Sequence, residues 1–126
     1  MDHMKKEHLE PLVRYRDETS TVVCPYGEAT RIITGGEGGV ANVHVIKVTR
    51  GDRHYHSGYH EVYYVLSGNG DIMLEGNRHR LSPGAVVIIP NGIAHEISAD
   101  KGDILEFVIV GSPAMATDDP RFVPRA

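Results

Sequence analysis

The chain is predicted to be an all-β domain, and three observations carry that reading. Segments rich in Val and Ile recur along it, each only a few residues long. Glycine, proline and asparagine separate them at short intervals, as turn residues do between strands. No long stretch places apolar residues at helical spacing, so a parallel α/β architecture is not expected. A sandwich or barrel fits this pattern best.

The elements follow in order. Residues 1–20 are polar and read as an N-terminal arm, with room for one helical turn or an extended run. Strands are expected over 22–24 and 30–34, where β-branched residues cluster. The run Gly35-Gly36-Glu37-Gly38-Gly39 is a flexible connection that neither a helix nor a strand would carry cheaply. Further strands are expected over 42–49, 53–56 and 61–67, then over 70–75 and 78–81. Gly76-Asn77 joins the last two as a tight hairpin turn, because both residues tolerate positive φ. Ser82-Pro83-Gly84 and Pro90-Asn91-Gly92 are turns on either side of a strand over 85–89. Strands over 95–98 and 104–110 complete the set. The barrel domain is taken as 21–112, and a C-terminal tail, 113–126, carries Pro113, Pro120 and Pro124. That tail is expected to pack over the surface or stay mobile.

Composition limits the function. With 126 residues the chain fits one domain able to bury a core without staples. Its 40% hydrophobic and 24% charged residues are ordinary for a globular protein. A formal charge of -4, with the lysines and arginines scattered, argues against nucleic acid as a partner. No apolar run approaches a membrane span, and no apolar signal core follows Met1-Asp2-His3-Met4-Lys5-Lys6. A cytoplasmic protein is therefore expected, without membrane partners. Cys24 is the single cysteine, which rules out an intrachain disulfide, and it reads as a buried structural thiol.

The chemistry is concentrated in His54, His56, Glu61 and His95. On an extended segment, side chains two apart leave the same side of the strand. His54 and His56 can then converge on one ion while Tyr55 points away. Imidazole nitrogen together with carboxylate oxygen suits a divalent transition metal, Fe, Mn, Ni, Zn or Co, without distinguishing among them.

These residues resemble a family. His54-x-His56, four residues, Glu61, six residues and Gly68 are similar to the first cupin motif. Gly84, five residues, Pro90-x-Gly92, two residues and His95 are similar to the second. The resemblance implies a double-stranded β-helix, or jelly-roll barrel, holding one metal ion inside, with His54, His56, Glu61 and His95 as its ligands. The chain departs from the pattern twice. Only two residues separate Gly51 from His54 where the family usually has five, and Ala99 stands where the family usually has asparagine. Neither change removes a ligand; both bear on the shape of the cavity mouth.

Alternation along Glu61-Val62-Tyr63-Tyr64-Val65 places Tyr63 on the metal side, either as a proton or hydrogen-bond donor or as cavity wall. Along Asn42-Val43-His44-Val45-Ile46-Lys47-Val48, a solvent-facing Lys47 sends Asn42, His44, Ile46 and Val48 inward. Glu61, His44 and Tyr63 are thus the expected catalytic groups. His60 should face away from the metal. Glu106 either faces the cavity or pairs at the surface, and Arg78-His79-Arg80 is either an anion site or a solvated strand. His3, His8 and His79 receive no role.

The resulting expectation is a metal-dependent oxidoreductase of dioxygenase type acting on a small polar or anionic metabolite. Two alternatives stay open: a sugar isomerase or epimerase, or small-acid lyase or decarboxylase; and a metal-bearing module that binds a ligand without turning it over. A homodimer is expected, with a partner subunit covering a sheet edge in the region 22–34.

Overall fold

The computed structural model describes residues 10–24, 27–35, 40–115 and 120–122. His3, His8, most of the glycine-rich connection, the Cys24 side chain and the chain after 122 lie outside the described residues. Within them a 3₁₀ turn, Arg16–Glu18, precedes the strands. Eleven strands make up the rest. They are β1 Thr21–Cys24, β2 Gly27–Ile33, β3 Asn42–Val48, β4 Arg50–His56, β5 His60–Ser67 and β6 Gly70–Leu74. β7 Asn77–Leu81, β8 Val86–Ile89, β9 His95–Ala99, β10 Leu105–Ser112 and β11 Pro120–Phe122 follow. One sheet has six strands in the order β1-β2-β3-β10-β5-β8, and the other has five in the order β11-β4-β9-β6-β7. Every pairing is antiparallel.

The inner faces of the two sheets form the core. β5 alternates strictly, with Glu61, Tyr63 and Val65 buried and their neighbours exposed, as a strand with one face on a core must. Registers carry that alternation across the sheet. Asn42, Gly111, Glu61 and Ile89 form one inward row; His44, Ile109, Tyr63 and Val87 form the next. Val48, Val65, Ile72, Leu81, Ile97, Leu105 and Phe107 fill the apolar end of the barrel. The polar residues gather at the other end.

Three local outcomes differ from the sequence reading. The hairpin between β6 and β7 turns at Glu75-Gly76 and not at Gly76-Asn77, since Leu74 pairs with Asn77. Both turn residues have positive φ, +50° at Glu75 and +85° at Gly76, the requirement of a two-residue hairpin turn that matches strand twist. β2 begins earlier than expected, at Gly27, which pairs with Val48; its backbone lies so close to the Lys47 carbonyl that a side chain there would overlap it. Residues 120–122 of the C-terminal tail form β11, paired with β4 alongside His54 and His56.

The ambiguous charges resolve outside the barrel. Glu106 pairs with Arg16 at 2.8 Å and lies 3.9 Å from Lys47, which pins the 3₁₀ turn to the outer face. Arg78 pairs with Asp71 at 2.8 Å, and Arg80 forms a two-pronged pair with Asp100. Their charge is thus offset within the hairpin surface.

Candidate metal centre

β4 supplies two of the histidines. His54 and His56 leave the same face of the strand, and their neighbour β9 sets His95 directly opposite His54. The register slips between Gly51 and His54, in the short approach that the sequence places there. The ring centroids of His54 and His95 lie 4.2 Å apart, those of His54 and His56 4.9 Å, and those of His56 and His95 5.7 Å. Each ring offers a nitrogen, and these three atoms all lie within 4.8 Å of one another.

Backbone carbonyls orient two of the rings. His54 Nδ1 is 2.7 Å from the Asp52 carbonyl, and His95 Nδ1 is 3.0 Å from the Ile93 carbonyl. A carbonyl only accepts, so each Nδ1 carries a proton and each Nε2 is the atom left to face the site. His95 Nε2 is buried and makes no hydrogen bond among the described residues. Leaving such a nitrogen dry and unmatched costs about 1–3 kcal/mol; a cation bound there would satisfy it.

From β5, Glu61 stands against this group. Its Oε1 lies 3.3 Å from His56 Nε2 and 3.4 Å from His95 Nε2, the second approach being out of line for a hydrogen bond. Burial alone would raise the Glu61 carboxyl, but the adjoining imidazoles of His56 and His95 outweigh it and hold it down to about 2. Burial, and then the neighbouring His95, lower the His54 imidazole below its ordinary 6.5. His54 therefore favours its neutral form, the form a metal needs.

The remaining expected residues divide. The Tyr63 hydroxyl donates to Glu61 Oε1 at 3.4 Å, and its ring stacks on Phe107 at 4.8 Å. His44 is buried on the same inner face, but Ile109 separates it from Tyr63, so the two stand about 10 Å apart across the sheet. His60 is exposed, and its Nδ1 accepts from the Asn91 backbone at 2.9 Å.

Sequence reasoning missed the support beneath the site. Tyr59 is 1% exposed, with its ring 5.3 Å from that of His56. Asn42 Nδ2 donates to the Tyr59 hydroxyl at 3.2 Å, while Asn42 Oδ1 accepts from the Gly35 and Met115 backbone at 3.2 and 3.0 Å. One buried amide therefore ties the loop before β3, the segment after β10 and the tyrosine behind a candidate ligand. Parity sent Asn42 inward, but no local pattern pairs it with Tyr59. Phe122 was missed as well: its ring lies 5.8 Å from that of His54, on a strand that a proline-containing tail did not announce.

A family model described as "Cupin domain" matches residues 41–111, more than half of the chain. The chain belongs to the cupin family. A Planctomyces limnophilus protein has a similar structure, with a TM-score of 0.78 and 27% identity over 90% of this chain and 97% of that one. The polyketide cyclase RemF from Streptomyces resistomycificus superposes with a TM-score of 0.72 at 19% identity, over 94% and 88% of the two chains. That likeness is one of fold, and with the matched model it makes this cupin a jelly-roll barrel. A 5-aminosalicylate 1,2-dioxygenase of Comamonas sp. is 38% identical over 56 residues, which are 44% of this chain. This cupin spans only 15% of that enzyme's length. No helix among the described residues is long and apolar enough to cross a membrane.

Proposed function

We propose that this cupin is a metal-dependent oxidoreductase of dioxygenase type, acting on a small polar or anionic molecule. The observation that carries the reading is the group of three histidine nitrogens within 4.8 Å of one another, one of them buried without a hydrogen bond among the described residues. The local similarity to a dioxygenase supports the reaction class. His54, His56 and His95 would hold the ion, with Glu61 beside them as a fourth ligand. A divalent ion there supplies Lewis acidity and, as iron, access to redox chemistry with dioxygen.

The protein's own groups have definite tasks. Carbonyls of Asp52 and Ile93 fix the tautomers of His54 and His95. Glu61 offsets positive charge, and Tyr63 holds a proton next to its carboxylate. The apolar end of the barrel, with Phe107 beneath Tyr63, keeps bulk water from that side.

A second reading rests on the Glu61–Tyr63 pair, which suits proton transfer in an isomerase, epimerase, lyase or decarboxylase. Iron-loaded protein should consume dioxygen together with a substrate. Conversion of a substrate without dioxygen would favour the second reading, and tight binding with no product would favour a non-catalytic module. The expected homodimer is part of the proposal: β1 is an edge strand with Val22 and Val23 exposed. Gel filtration giving the mass of one chain would end it.

A further inference from the structure

Phe122 presents a largely exposed aromatic ring beside the candidate metal centre. It belongs to β11, beyond the residues 41–111 that match the family. Its backbone pairs with that of His54, and directly opposed residues of an antiparallel pair share a face. The ring therefore projects to the side of the sheet that carries the three histidines. It meets the His54 ring at 5.8 Å and a tilt of 48°, yet it remains 67% exposed. A phenyl ring buried in a fold contributes a large hydrophobic stabilisation; here most of that surface is left uncovered beside the site.

We infer that Phe122 is a specificity-determining residue that contacts substrate and selects ligands whose aromatic ring directly bears the oxygen donors that reach the histidines. The inference rests on the metal-centre reading and names the substrate class for it. Aromatic pairs sit with centroids about 4.5–7 Å apart. A ligand ring stacked or tilted on Phe122 thus lies beside His54, and a carboxylate or hydroxyl attached to that ring has little distance to cover. An aliphatic acid with the same donor atoms would reach the site but leave Phe122 bare. Arg121, the next residue back, pairs with Tyr55 and projects to the opposite face, so selection at this strand is by ring surface and not by charge.

The test uses redox-inert zinc-loaded protein and two chelating probes, salicylate and lactate, with affinities measured by calorimetry. Phe122→Ala should weaken salicylate about threefold to tenfold, from the known strength of an aromatic pair, while lactate stays within about twofold. Phe122→Trp should keep the preference. Zinc content should be the same in all three proteins, which separates loss of contact from loss of the site. Parallel weakening of both probes, or no change in either, would overturn the inference and leave the metal centre standing. Zinc-independent behaviour of both probes in the unaltered protein would overturn the inference and the metal-centre reading together.

Discussion

Replacing Gly111 with alanine should damage both the fold and the metal site. A Cβ built at Gly111 would lie 2.5 Å from Tyr59 Cε1 and closer still to Cζ and the hydroxyl oxygen. Carbon atoms pack at about 3.5–4.0 Å, so the tyrosine ring would have to retreat by more than an ångström. It has nowhere to go: it is fully buried, against the His56 ring on one side and held by Asn42 through its hydroxyl. Overpacking of a tight core costs about 1–3 kcal/mol, and the strained Asn42 hydrogen bond adds about 1 kcal/mol. Gly111→Ala should therefore lose about 2–4 kcal/mol in urea unfolding of the metal-free protein, read as a lower midpoint at unchanged slope. Tyr59→Leu costs stability alone, but in the Gly111→Ala background it removes the clash. The double variant should then be more stable than the sum of the singles by about 1 kcal/mol or more. Since Tyr59 backs His56, Gly111→Ala should also bind metal more weakly. A Gly111→Ala midpoint equal to wild type, or strict additivity, would refute the packing argument.

Further outcomes follow from the same geometry. His56→Ala and His95→Ala should each lose most of the bound metal, whereas the exposed His60 can be replaced by alanine without loss; elemental analysis that found metal missing from the His60 variant alone would reverse the assignment. Glu61 is held at about 2, below its ordinary 4.5, and His54 is held below 6.5. In both cases the unfolded chain binds more protons, so stability rises with pH. The metal-free protein should lose stability as pH falls below about 6.5, and again between 4.5 and about 2 as Glu61 gives up its charge. Denaturant midpoints that stay flat over that range would contradict this. Glu75 adopts φ +50° at the β6–β7 turn, where asparagine is better tolerated, so Glu75→Asn should stabilise by about 0.5–1 kcal/mol in thermal unfolding.

Much of the barrel was legible because one face of each strand is buried. That makes the two-residue period visible in β5 and sends Glu61 and Tyr63 inward together. The same parity placed Asn42 and His44 on the inner face of β3. Spacing could not show that Ile109 would stand between His44 and Tyr63, because β10 is remote in sequence. Glu106 was undecidable for a similar reason: its partner Arg16 lies ninety residues away. β11 is three residues long and begins with proline, so it carries no period to read. The hairpin slipped by one residue because Glu75 occupies a conformation that its own type disfavours.

Equilibrium dialysis of the unaltered protein against a divalent metal, followed by elemental analysis, tests the central claim most directly. One ion per chain, released on acidification and absent from the His95→Ala protein, is the outcome the structure predicts. Retention of no metal by the unaltered chain, or equal retention by the His95→Ala protein, would contradict it.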